Sequence, residues 1–139
     1  MPQLQCIVVT PEETVLETGA DFIVVPLFDG ELGIGPGHSP LIGRLGYGEM
    51  RLRVGEHTSR YYVDGGFVQV AANVVSVLTN CAIPADKLDA QVVSEQLERA
   101  RNSRNRGEEA IAARERLVAQ YRAQLRVARG KTAALAGSH

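Results

Sequence analysis

The sequence predicts a segregated α+β protein, with a sandwich or flattened barrel of eight to ten short strands followed by two antiparallel helices. Three observations predict it. Of the 139 residues, all six prolines, 11 of the 14 glycines and six of the seven aromatics lie at or before Pro84. Residues 1–84 read as short β-branched runs between turn residues, whereas residues 85–139 are helix formers with apolar residues at helical spacing. The charge divides at the same place. Four arginines against nine acids give −5 up to Pro84, and eleven Lys and Arg against seven acids give +4 beyond it, within a net charge of −1. A shift this abrupt at Ile83-Pro84-Ala85-Asp86 marks a domain junction.

In chain order, Leu4–Val9 is β-branched and stops at the turn Thr10-Pro11-Glu12-Glu13. Thr14–Glu17 follows and ends near Gly19. Phe22–Val25 reads as a buried strand closed by Pro26, which has no amide to give a ladder. Strands are further predicted over 48–54, 59–63, 67–71 and 74–79. Met50-Arg51-Leu52-Arg53-Val54 alternates apolar and charged residues, as a strand with one wet face does. Gly55-Glu56-His57, Asp64-Gly65-Gly66 and Ala72-Asn73 supply the hairpin turns. From Asp86, a suitable N-cap, Leu88, Val92 and Ala100 share a helical face beside Val93 and Leu97. Periodicity lapses over Arg99–Arg106, and Gly107 offers a C-cap or turn. Glu108 and Glu109 open a second helix, acids being favoured at its positive end. Its stripe is Ile111, Val118, Tyr121, Leu125 and Ala128, widened by Leu117. Gly130 weakens the end, and Ala133–His139 is expected to fray.

Several classes are excluded. The chain is too short for a barrel enzyme or two-domain dehydrogenase of about 250 residues. Its near-neutral charge argues against a general nucleic-acid binder. No apolar run approaches the roughly 18 to 20 residues of a membrane span. The first residues, Met-Pro-Gln-Leu-Gln-Cys, lack the basic-then-apolar order of a secretory signal. Cys6 and Cys81 cannot form a disulfide framework or a four-ligand zinc site, and are read as small buried strand residues.

The run Gly30-Glu31-Leu32-Gly33-Ile34-Gly35-Pro36-Gly37-His38-Ser39-Pro40 is the place to look for a phosphate loop. It has no lysine, Pro36 and Gly37 stand where a P-loop has Lys-Ser/Thr, and two prolines remove amide donors. His38 falls at the third glycine of a dinucleotide motif. The run is read as a rigid, tightly folded connection. His38 and Ser39 are adjacent, so an extended chain points them apart and they make a poor base and nucleophile pair. The three histidines show no metal-ligand spacing. The arginines of 99–106 read as a solvated helix face, or as a surface that docks on an acidic protein; nucleic-acid binding comes third, because stacking aromatics are missing.

At this point the residues resemble a family. Gly30-Glu31-Leu32-Gly33-Ile34-x-Pro36-Gly37-His38-x-Pro40-Leu41 resembles the loop that marks the epsilon subunits of F-type ATP synthases. Val63-Asp64-Gly65-Gly66-Phe67-Val68-Gln69-Val70 resembles that family's paired-glycine hairpin. Val74–Thr79 resembles its last sandwich strand, and Ala123–Ala128 the end of its second helix. The match runs in order along essentially the whole chain.

The resemblance implies an N-terminal β-sandwich of about ten strands over 1–84, which binds gamma and the c ring. It implies a mobile regulatory helical hairpin over 85–139. The role implied is a noncatalytic central-stalk subunit that couples c-ring rotation to the catalytic head and inhibits ATP hydrolysis through its C-terminal helices. Asp29, Gly30, Glu31, Leu32 and Gly33 match the c-ring edge. His38, Ser39, Pro40 and Leu41 match the segment facing gamma. Arg99, Arg101, Arg104, Arg114, Arg116 and Arg122 are candidates to meet acidic loops of the catalytic alpha and beta subunits when the hairpin extends. Some bacterial members bind ATP through Ile/Leu-Asp-x-x-Arg-Ala. Leu88 and Asp89 fit, but Val92 replaces the arginine, which predicts weak or absent ATP binding. No cofactor, metal or nucleic acid is implied. The expected location is peripheral, on the cytoplasmic face of the bacterial plasma membrane, through the complex alone. Two other readings stand beside it: a small hydrolase using the glycine-rich loop, and a basic-hairpin nucleic-acid module.

Overall fold

A computed structural model describes residues 3–102 and 107–137, with side chains described as far as Gly130. The chain divides into two compact units, Met1–Pro84 and Ala85–His139.

The described strands of the first unit are β1 (Leu4–Val9), β2 (Thr14–Ala20), β3 (Phe22–Leu27), β4 (Gly30–Ile34), β5 (Leu41–Arg44), β6 (Tyr47–Val54), β7 (His57–Asp64), β8 (Phe67–Ala71), β9 (Val74–Leu78) and β10 (Ala82–Pro84). They form two five-stranded sheets, in the orders β2-β1-β9-β8-β5 and β10-β7-β6-β3-β4. Only β1 with β9 is a parallel pair among these ladders. The chain changes sheet after β2, β4, β5, β7 and β9, so no strand is far from the other layer.

Period-2 alternation fills the space between the sheets. Leu4, Cys6 and Val8 of β1, Val68 and Val70 of β8, and Val75 and Val77 of β9 meet Ile23, Val25, Ile34, Met50, Leu52 and Val63 of the other sheet. Each such side chain, fully buried, contributes about 1.5 to 3 kcal/mol. Burial pushes the Cys6 thiol up to about 12, so it stays protonated and inert at neutral pH. Cys81, expected on a strand, lies half-buried in the connection before β10; burial, then the charges of Asp64 and Glu12, raise its pKa.

Three expectations about the strands need correction. Gly30–Ile34 is not a connection but strand β4, paired with β3 from Ile23↔Ile34 to Leu27↔Gly30. Pro26 does not close β3, which runs on to Leu27. The β3–β6 ladder covers Phe22 to Val24 only, so the missing amide of Pro26 breaks no rung on that side. Strands β5 and β10, too short to show alternation, are additions.

The sheets are joined at a corner of close backbone approach. Leu45 N–H donates to Gly66 O (2.8 Å), Gly46 N–H to Pro26 O (3.0 Å) and Phe28 N–H to Arg44 O (3.1 Å). Buried Thr79 stitches the neighbouring turns, its Oγ1 accepting from Asp64 N–H (3.0 Å) and donating to Cys81 O (3.2 Å). Gly66 has φ +100°, and a Cβ there would stand 1.9 Å from Leu78 O. No rotamer relieves that clash, because the obstacle is backbone.

In the second unit a short 3₁₀ turn at Ala85–Lys87 precedes α1 (Ala90–Arg101) and α2 (Glu108–Gly137). The N-cap is Asp89, not Asp86, which lies in the 3₁₀ turn. The C-cap is Asn102, not Gly107. Helix α2 continues through Gly130 to Gly137, past the point where fraying was expected. Val93, Leu97 and Leu125 form the seam, flanked by Leu88, Ala90, Val118 and Tyr121. Val92, expected on the buried face, is 48% exposed, because the 4-3 spacing of Val93, Leu97 and Ala100 sets that face instead.

Replacing Gly66 with alanine should cost roughly 2 to 4 kcal/mol, from strained φ and overpacking together. Urea unfolding of the variant should show this as a lowered midpoint. Gly65→Ala, where the nearest atom to the added methyl is a side-chain carbon at 3.6 Å, should cost less.

Candidate functional site

The residues singled out in the sequence fall on three separate surfaces. The first is the β3–β4 hairpin. Its rung Leu27↔Gly30 leaves Phe28 and Asp29 at the tip. Asp29, Gly30, Glu31 and Gly33 are exposed, whereas Leu32 turns inward and packs partly on the core. Glu31 is not a free carboxylate. Arg51 of β6 reaches over β3 to Glu31 Oε2 (3.1 Å) and also meets Glu49 Oε1 (3.3 Å), while Arg60 pairs with the other Glu49 oxygen. Partial desolvation lowers the pKa of Arg51, but the hydrogen bonds and charges of Glu31 and Glu49 outweigh it, so the net shift is upward. These partly exposed pairs are each worth only about 0 to 1 kcal/mol. Their effect is to orient Glu31 rather than to hold the fold.

Phe28 was missed by sequence reasoning. It is 67% exposed at the hairpin tip, with the Arg44 guanidinium 5.9 Å from its ring centroid. Gly46 allows this arrangement: its Cβ position would lie 3.0 Å from Leu27 O and 3.2 Å from Phe28 Cα.

The second surface begins in the connection 35–40 and continues onto β5. His38 N–H donates to Gly35 O (3.3 Å), closing a turn. His38 Nδ1 lies 2.7 Å from the carbonyl oxygen of Ser39, so Nδ1 carries the proton in that bond. The ring is therefore engaged with its neighbour's backbone rather than with the Ser39 hydroxyl, an arrangement that does not activate a nucleophile. Ser39 and Pro40 are exposed, and Leu41 packs partly on the core. The next residue, Ile42, is 73% exposed. It shares the outer face of its sheet with Phe67 (56%) and Leu78 (51%), which pair directly across β8 and β9. Val9 of β1 lies opposite Leu78 on the same face. These residues were also missed, although the signal was present: Phe67 and Leu78 occupy the parity opposite to Val68, Val70, Val75 and Val77. An apolar row on an outer sheet face is a candidate protein-docking surface.

The third surface is the hairpin. Arg101, Arg114 and Arg122 line one open groove of about 400 Å³ with Glu115, Val118 and Ala119. Arg101 also pairs with Glu98 at 3.4 Å. Arg99 and Arg116 are exposed but do not line this groove. Arg104 lies outside the described residues. Asp89 spends its carboxylate on α1: Oδ1 accepts from Gln91 N–H (2.9 Å) and Val92 N–H (3.3 Å). Leu88 packs against the helix seam. Among the described residues no cluster of His, Cys, Asp and Glu could hold a metal ion.

A family model described as ATP synthase, delta/epsilon chain, beta-sandwich domain matches residues 3–85. The chain is 46% identical over 126 residues to the ATP synthase epsilon chain of Rhodopirellula baltica, covering 91% of this chain and 98% of that one. It is 43% identical over 94 residues to the epsilon chain of Carboxydothermus hydrogenoformans, covering 68% and 70%. In fold it is similar to a chain in the cryo-EM structure of the Euglena gracilis mitochondrial ATP synthase, OSCP/F1/c-ring. The TM-score is 0.73 over 97% of this chain and 82% of that one, at 24% identity. A chain of the Tetrahymena thermophila mitochondrial ATP synthase central stalk and c-ring gives 0.69 over 91% and 96%, at 15% identity.

The capping geometry makes a definite demand on Asp89. Asp89→Ala should destabilise the hairpin by about 1 kcal/mol, and Asp89→Ser should recover most of that. Thermal unfolding followed by helical circular dichroism checks it; an alanine variant as stable as the unsubstituted chain would contradict the capping role.

Proposed function

The chain belongs to the ATP synthase delta/epsilon chain family, and from that premise we propose that it is a noncatalytic central-stalk subunit that couples c-ring rotation to the catalytic head and restrains ATP hydrolysis. In this reading the chain supplies surfaces rather than reacting groups. The hairpin tip Asp29–Gly33, with Asp29 and Glu31 as its acids, docks on polar loops of the c ring. The segment His38–Leu41 docks on gamma, and the exposed apolar side chains of Ile42, Phe67 and Leu78 on the same sheet face extend that contact. Leu41 braces the segment from the core side while Ile42 is presented outward.

One observation carries the proposal. Strands β4 and β5 are edge strands of opposite sheets, joined by the connection 35–40 and clamped at the Leu27–Leu45 bridge. Two partners docked on those edges are held by one hydrogen-bonded frame. Torque applied at one edge then reaches the other without passing through a flexible linker. Because exposed ion pairs contribute little, apolar fit on the β5–β8–β9 face must supply most of the affinity for gamma.

The hairpin is the regulatory part of the proposal. Its groove presents Arg101, Arg114 and Arg122 toward a common opening, a suitable match for acidic loops of the catalytic subunits. Arg99 and Arg116 flank it on exposed helix faces. A nucleotide site at Leu88 and Asp89 is not favoured. Asp89 is engaged with α1 amides, and Val92 offers no charge to a phosphate. In this proposal the chain works within a membrane-associated assembly, at the cytoplasmic face of the bacterial plasma membrane. No described helix is long and apolar enough to cross a membrane.

Assembled ATP synthase lacking residues 86–139 of this chain should retain gamma and the c ring and hydrolyse ATP severalfold faster than the full assembly. Equal hydrolysis rates would remove the inhibitory role. Loss of this chain from the purified complex would contradict the assignment of docking to the sandwich.

A further inference from the structure

The β8–β9 hairpin turn contains an unexplained cost. Ala72 and Asn73 have φ of 51° and 63°, so both occupy the left-handed region that suits a two-residue turn. Glycine is the residue usually found at such positions, and neither is glycine. Asn73 tolerates the conformation better than most side chains. Its side chain does not serve the turn itself. Asn73 Oδ1 accepts a hydrogen bond from Gly37 N–H at 2.8 Å, 36 residues away in sequence. Its backbone oxygen meanwhile accepts from Gln5 N–H at 2.9 Å. One residue at the end of the first sheet thus ties β1 to the turn and reaches the connection that carries His38.

We infer that Asn73 is a positioning residue for the gamma-docking segment, an inference that rests on the docking role proposed for His38–Leu41. The connection 35–40 joins strands of opposite sheets and is fixed by few bonds of its own. The turn bond His38 N–H to Gly35 O is long, at 3.3 Å. Pro36 and Pro40 contribute no amides. The Gly37 amide is therefore the handle by which the rest of the sandwich holds the segment, and Asn73 supplies the acceptor. A segment held in its docking conformation before the partner arrives loses less entropy on binding.

Two substitutions separate this role from that of the turn. Asn73→Gly keeps, and even eases, the left-handed backbone but removes the acceptor. Asn73→Asp keeps both an acceptor oxygen and tolerance of that conformation. Hydrogen exchange of the full chain should show the Gly37 amide losing protection in Asn73→Gly and keeping it in Asn73→Asp. Binding to purified gamma should weaken roughly threefold to tenfold in Asn73→Gly, the worth of one such hydrogen bond, and stay near the unsubstituted value in Asn73→Asp. A third variant, Ile42→Glu, tests the docking face itself and should abolish binding. Full affinity of Asn73→Gly while Ile42→Glu fails to bind would overturn the positioning role and leave the docking face standing. Full affinity of both would overturn the docking reading, and this inference with it.

Discussion

The structure depends on a close approach of backbones where the two sheets exchange the chain. At that corner Leu27 and Phe28 lie against Arg44, Leu45 and Gly46, and Leu45 donates to Gly66. Side chains at positions 46 or 66 would push these segments apart, and at 66 the obstruction is the carbonyl of Leu78 itself. Glycine is the means by which a sandwich of short strands can cross between layers over one to six residues without leaving amides unpaired in its interior. The core is filled mainly by Val, Ile, Leu and Met, with Tyr61 packed against it.

That corner also decides where the surfaces go. It presses the tip of β3 against the end of β5, so Phe28, Arg44 and the acidic hairpin lie beside the edge strand that follows His38. The ion pairs of Arg51 and Arg60 with Glu31 and Glu49 then fix side-chain direction on the outer face of the second sheet. None of these pairs is energetically large. Together with the Asn73–Gly37 bond they give two exposed edges a defined geometry, a property suited to a part that transmits force between neighbours.

Much of this was legible in the sequence, and the failures have physical causes. Strands β1, β8 and β9 were visible as short β-branched runs between turn residues, and β6 by its alternation of apolar and charged residues. Strand β4 was not, since three of the residues 30–34 carry no signal: two are glycine, and Glu31 is oriented by a partner twenty residues away. Pro26 misled because the rule against proline in strands applies to paired edges, and β3 has parted from β6 by then. In the hairpin, Asp86 and Asp89 are equally good caps by type. Only the backbone amides of Gln91 and Val92 decide between them. The exposed positions of Phe67 and Leu78 were readable by parity, yet apolar residues in strands are ordinarily assigned to the core; Ile42 was not, because β5 is too short to show alternation. Asn73 could be recognised as a turn residue, but its bond to Gly37 is a tertiary fact that spacing does not encode.

Docking of the sandwich on gamma requires this chain to turn with gamma as one body. The direct measurement is a disulfide between Ser39→Cys and a cysteine placed on the facing surface of gamma, in intact ATP synthase carrying Cys81→Ala. Buried Cys6, its thiol held protonated, does not compete for the crosslink. The crosslink should form, and ATP turnover should be the same before and after its reduction. A crosslink that stops turnover until it is reduced would show that the two chains move relative to each other, and would contradict docking of the sandwich on gamma as one body.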